Sequence, residues 1–224
     1  MDILYDMLSG FGVTLQLFFM TLLFAIPLGL LIALGAISRI PPLRWFMRGL
    51  IWVIRGTPLL LQCIVVSFIP SVVFHIPNKD VATFFGMSIS SLQFVFVLIA
   101  FSLNYACYFA VIYEGGIKSI PSGQYEAGDV LGLTRGQTFT HIVFPQVVRR
   151  IIQPMSNEII TLVKDTALAK ALGVVEILMV ANDKVNLSGK IYPLLGAGVF
   201  YLMFSAVLTL FFRFAEKKTS YYKV

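Results

Sequence analysis

Charged side chains are scarce in this chain of 224 residues: Asp, Glu, Lys and Arg make up only 12% of it, about half the share usual in soluble domains. With 58% hydrophobic residues and a mean hydropathy of +0.87, that scarcity argues against a water-soluble enzyme. It argues more firmly against a disordered chain, because such chains are polar and poor in aromatics, and this one has 20 Phe. Cysteine is nearly absent. Cys63 and Cys107 both lie in apolar stretches, where they behave as small buried residues and give neither a disulfide framework nor a metal site. His75 and His141 have no companions at metal-ligand spacing, and no Ser/His/Asp or Cys/His set can be assembled, so a membrane enzyme has nothing to rest on. The net charge of +6 would suit nucleic acid only if Lys and Arg gathered on a soluble face. They fall instead between long apolar runs, where their role is membrane topology.

What the chain has in abundance is apolar runs. A spanning helix needs about 20 such residues, so the length accommodates roughly four to six spans in a single membrane domain, residues 1–224. From Met7 to Ser38 no side chain is charged. That run is too long for the apolar core of a signal peptide, and Asp2 and Asp6 precede it where a signal peptide carries positive charge. It is read as an uncleaved first span over residues 12–37, flexed at Pro27 and Gly29. A second span covers about 50–74 and contains Arg55-Gly56-Thr57-Pro58 near its start, where Thr before Pro marks a helix start or a local kink. Further spans are expected over about 89–113, 151–172 and 191–212, with Lys164 and Asp165 of the fourth turned toward protein or water.

Five spans place the termini on opposite sides. With the C-terminus in the cytoplasm, 12 of the 17 Lys and Arg lie inside, Lys223 among them, and only Lys79, Lys164, Lys170, Lys184 and Lys190 lie outside. The expected orientation is therefore N-out and C-in. It puts the segment 114–150, polar and punctuated by Gly, in the cytoplasm. Gly132 can close a first short helix there, and Thr134 with Gln137 three residues on can box the start of a second. Pro145 marks the next boundary. The segment is expected to be a helix-turn-helix elbow against the inner membrane face, because roughly 30 residues exceed what a plain connection needs.

Within that elbow, Glu126-Ala127-Gly128, then Gly132, then Ile142-Val143-Phe144-Pro145 has the spacing of the EAA motif and resembles the permease subunits of ABC importers. Gly128 stands where the motif has a second Ala, and Phe144 where it has Leu. Arg55-Gly-Thr-Pro-Leu-Leu-Leu-Gln62, Ile117-Lys-Ser-Ile-Pro-Ser-Gly-Gln124 and Asn157-Glu-Ile-Ile-Thr-Leu-Val-Lys-Asp-Thr166 resemble, in order, signatures of the polar amino-acid uptake branch. The resemblance implies an all-α integral membrane protein with the transmembrane fold of type I ABC importers. It implies an elbow that docks on a cytosolic ABC ATPase dimer through Glu126, Ala127, Gly128, Gly132, Leu133, Ile142 and Pro145. Glu126 would supply a polar contact and Gly132 the turn. The chain lacks the Gly-x-x-x-x-Gly-Lys-Ser/Thr phosphate loop, so ATP and Mg would belong to that partner and this subunit would hold no cofactor. A second permease subunit, identical or related, and an extracytoplasmic amino-acid-binding protein complete the implied assembly in the cytoplasmic membrane.

Polar side chains at membrane depth are costly and usually face a cavity or a partner. Asn104 and Tyr108 share a face of the third span. On the fourth, Asn157, Thr161 and Lys164 form one stripe, with Glu158 and Asp165 on an adjacent one. An amino acid carries an ammonium and a carboxylate, so these seven residues are the candidate path; their alternative role is structural pairing at helix ends or between helices. Related chains commonly read Tyr-x-Ala-Glu-x-x-Arg-Gly-Gly where this one has Val111 and Glu114. That departure leaves open whether substrate is held differently or by the partner permease. An ion-gradient-driven transporter or channel would also explain Glu158 and Asp165, but not the elbow, and the inverted repeats frequent in secondary transporters are not evident.

Overall fold

A computed structural model describes residues 2–219; the Lys223 counted above lies outside that range. Among the described residues there are helices and no strands. They run α1 (Asp2–Ala36), α2 (Pro41–Arg55), α3 (Leu59–Val73), α4 (Asn78–Phe84), α5 (Ile89–Lys118), α6 (Gly123–Val130), α7 (Arg135–Thr138), α8 (Phe144–Asp165), α9 (Ile177–Ser188) and α10 (Tyr192–Thr219). A π-helical turn, Phe139–Val143, joins α7 to α8, and a 3-10 stretch, Thr166–Leu172, follows α8. Among the described residues three helices are long and apolar enough to cross a membrane, Leu4–Ala36, Ile89–Lys118 and Tyr192–Lys218, and the bent pair α2 and α3 would make a fourth crossing if it is one span.

Helix α5 is the hub, with α1, α2, α3 and α8 packed around it. Apolar side chains gain little by leaving lipid for a protein core, so close packing of small residues holds such helices together. Between α1 and α5 the buried residues include Ala25, Ala33 and Ala36 on one side and Ala106 and Ala110 on the other. A Cβ on Gly29 would stand 2.9 Å from the Ala106 carbonyl oxygen, so only glycine permits this crossing. Phe11 and Phe18 of α1 meet Phe204 of α10 edge-on, with centroids 5.9 and 4.9 Å apart. The rest of α10 shows Leu202, Val207, Leu210 and Phe214 outward, as expected of a face toward lipid.

The run read as one span over 50–74 is two helices, α2 and α3, bent by 110°. Pro58 has no N–H to donate and pushes Thr57 out of helical conformation, which breaks the ladder there. The first helix, Asp2–Ala36, contains most of the run read as the first span, 12–37, and extends before it. The fourth run differs at both ends: α8 already begins at Phe144, and past Asp165 the chain tightens to 3-10 geometry until Gly173, at φ +80°.

One anchor of the fold has no counterpart in the sequence reading. Glu176 is fully buried and caps α9, accepting the N–H groups of Leu178 and Met179 at 2.7 and 2.8 Å and the Tyr201 hydroxyl at 2.9 Å. Thr14 of α1 accepts the Ile177 N–H at 3.3 Å, and Lys184 pairs with Asp6. Through these contacts α9 clamps α1 and α10 together.

Candidate functional site: a polar cavity and a capped elbow

Residues three or four apart on a helix share a face. On α5 that rule brings Asn104, Tyr105 and Tyr108 to the side that meets α8, where Glu158, Thr161 and Asp165 face them. Together with Thr57, Pro58 and Leu59 at the broken helix they line a cavity of 220 Å³. The structure therefore brings together Asn104, Tyr108, Glu158, Thr161 and Asp165 of the seven expected path residues. Asn157 and Lys164 are exposed and outside the lining: each precedes a lining residue, Glu158 or Asp165, and one helical step turns a side chain about 100° away.

Three further residues shape this cavity. The Tyr105 hydroxyl, buried at 2% exposure, donates to Asp165 Oδ2 at 2.6 Å, so one carboxylate oxygen is held by protein. Asn104 Nδ2 donates to Gln62 Oε1 at 3.0 Å. The Arg55 guanidinium stacks 4.9 Å from the Tyr108 ring centroid, a cation–π contact. Sequence reasoning left all three out of the site. The signal was present: Gln62 is an amide inside an apolar run, in need of a partner such as Asn104.

Joined to the Tyr108 side through Arg55 is a second cavity of 520 Å³, lined by Arg48, Ile51, Trp52, Arg55, Gly56 and Glu114. Glu114, one of the two residues that depart from the related pattern, pairs there with Arg48 at 3.6 Å and with Lys118. Its reversed charge is thus matched locally by two cations. A wider groove of 710 Å³ between α1 and the start of α5 is lined by Gln16 and three serines among apolar residues; it has no ionisable group.

The elbow is built as its sequence suggests. Gly132 takes φ +71°, the left-handed conformation that glycine adopts without penalty, and the Leu133 N–H returns to the Gly128 carbonyl at 3.0 Å. Thr134 Oγ1 accepts the Gln137 N–H, and Gln137 Oε1 accepts the Thr134 N–H, closing the capping box. Gly128 is buried, and a Cβ there would meet Thr138 Cγ2 at 2.6 Å. A buried threonine is therefore what makes glycine fit where the motif has Ala. Pro145 falls in the first turn of α8, so the chain passes from α7 through the π-turn into α8 without leaving helical conformation. Ile120, Val143 and Val147 fasten the elbow to the ends of α5 and α8. Glu126, Ala127 and Gly132 are exposed, Leu133, Ile142 and Pro145 half-buried, and Val130 and Leu131 stand 87% and 72% exposed.

This arrangement of a broken apolar bundle above a capped elbow has relatives. The chain is 34% identical over 175 residues to the L-cystine transport system permease protein TcyB of Bacillus subtilis, covering 78% of this chain and 69% of that protein. It is 33% identical over 215 residues to the octopine transport system permease protein OccM of Rhizobium radiobacter, covering 94% and 84%. Among solved structures, that of an amino acid ABC transporter with histidines superposes with a TM-score of 0.80 at 26% identity, covering 97% of this chain and 95% of that one. Residues 25–221 match the family described as the binding-protein-dependent transport system inner membrane component, and the chain belongs to that family.

Proposed function

We propose that this chain is the translocation subunit of an ATP-binding-cassette importer that carries a polar amino acid across the cytoplasmic membrane, with ATP hydrolysed by a separate ATPase. The observation that carries the reading is the cavity where Asn104, Tyr108, Glu158, Thr161 and Asp165 converge, connected through α8 to the elbow. The relatives named for cystine, octopine and arginine transport support the substrate class. Glu158 and Asp165 suit the ammonium of a substrate, because a cation between two carboxylates offsets the cost of holding acids at membrane depth. The Asn104 amide and the Tyr108 hydroxyl suit the carboxylate. A gradient-driven transporter would leave the elbow and its exposed Val130 and Leu131 without a role.

In this reading the chain has five spans, N-out and C-in, α2 and α3 together forming the second. Two permease chains pair around the path, an extracytoplasmic binding protein delivers the amino acid, and the elbow docks on a cytosolic ATPase dimer through Glu126, Ala127, Gly132, Leu133, Ile142 and Pro145, while Gly128, expected at that contact, is buried against Thr138 and seats the two short helices on each other. The subunit itself is non-catalytic, and ATP and Mg sit on the ATPase. The test is uptake by a purified complex in liposomes. Asp165→Asn and Glu158→Gln are expected to lower uptake and substrate-stimulated ATPase activity at least tenfold with the complex intact. Unchanged transport in both, and in Asn104→Ala, would overturn the path, and transport persisting without any ATPase would overturn the class.

A further inference from the structure

A break in a helix leaves carbonyls that its own ladder cannot satisfy, and they must find another partner. At the α2–α3 break one side chain takes that role. Gln62 Nε2 lies 2.7 Å from the Ile54 carbonyl oxygen, 3.1 Å from that of Thr57 and 2.8 Å from Thr57 Oγ1. The Thr57 hydroxyl is itself turned back to donate to the Val53 carbonyl at 3.0 Å. The other end of the same amide, Oε1, accepts from Asn104 Nδ2 at 3.0 Å. Its orientation is therefore determined: a flipped amide would set donor against donor at Asn104 and oxygen against the acceptors of the break.

We infer that Gln62 is a positioning residue that links occupation of the cavity to the angle of the α2–α3 break, and through the break to Arg55. This rests on the transport reading above. Arg55 sits between Ile54, whose carbonyl Gln62 holds, and Gly56. Its guanidinium covers Tyr108 of the first cavity while lining the second cavity with Arg48 and Glu114, so it stands between the two. A substrate carboxylate that draws the Asn104 amide away leaves Gln62 Oε1 without its donor. The knot then loosens, the break is free to change angle, and Arg55 leaves Tyr108, opening the way to the second cavity.

Two measurements test this, one independent of transport. Spin labels on Trp45→Cys of α2 and Val72→Cys of α3, both exposed in the native chain, report the bend in lipid nanodiscs. Gln62→Leu is expected to broaden or shift that distance distribution, and an unchanged distribution overturns the knot whatever the chain transports. In the reconstituted complex, with L-arginine and L-cystine as probes, Gln62→Leu is expected to reduce maximal uptake at least tenfold while half-saturation changes less than threefold. Gln62→Leu combined with Asn104→Ala is expected to be no slower than the slower single variant, since both cut one link. Independent, multiplying losses overturn the inference, as does wild-type uptake by Gln62→Leu. If Gln62→Leu fails to copurify with the ATPase, Gln62→Glu, of equal size but without the donors, decides by the same split. Absence of uptake by the wild-type complex would count against the transport reading, and the nanodisc distances would still judge the knot.

Discussion

At the scale of single residues, the elbow turns on what stands at two glycines. Gly128 is opposed by Thr138, which is buried and makes no hydrogen bond through its hydroxyl. Gly128→Ala is therefore expected to loosen the α6–α7 packing and lower ATPase activity coupled to transport. Gly128→Ala with Thr138→Ala is expected to restore most of it, because the second change removes the hydroxyl and methyl that the new Cβ would meet; coupled ATPase assays on the three variants check this. Gly132→Ala meets a different obstacle, a φ of +71°, and is expected to cost about 1–2 kcal/mol wherever it is placed, with no rescue from Thr138. Its readout is the concentration of ATPase needed for half-maximal binding to the purified chain.

At the scale of elements, breaks and caps decide more than helix propensity does. The buried Glu176 gathers α9, α10 and, with Thr14, α1. Glu176→Ala removes two backbone caps and leaves Tyr201 without its acceptor, so a loss on the order of 2–3 kcal/mol is expected, seen as a lower midpoint for thermal aggregation in detergent. Glu176→Gln keeps one acceptor oxygen and is expected to lose less. Equal midpoints for Glu176→Ala and the native chain would show that α9 is held by its apolar face alone.

At the scale of the whole molecule, orientation governs which face meets which partner. Leu187 at the end of α9 and Val130 in the elbow are 83% and 87% exposed, and the proposed N-out arrangement would put them on opposite sides of the membrane. A membrane-impermeant thiol reagent applied to intact cells is expected to label Leu187→Cys and to spare Val130→Cys; the reverse pattern would invert the topology. Glu126→Lys, on the exposed elbow face, is expected to reduce copurification of the ATPase at least tenfold without changing the amount of chain in the membrane.

Much of this was open to reading in the chain itself. Scarce charge and long apolar runs determined a helical membrane protein, because hydrocarbon tolerates few alternatives, and local chemistry at Gly132, Thr134 and Gln137 determined the elbow, because caps and turns depend on near neighbours. The acid and amide positions were visible for the same reason that they are rare: each is costly where it stands. Tertiary structure alone decided which of them meet. Asn157 and Lys164 turn away while Tyr105 turns in and Arg55 and Gln62 meet the lining residues Tyr108 and Asn104, since helix rotation and the 110° bend between α2 and α3 are set by packing against α5. Glu176 was hidden likewise: a lone carboxylate between two apolar runs acquires its role only when Thr14 and Tyr201, far off in sequence, are brought beside the start of α9.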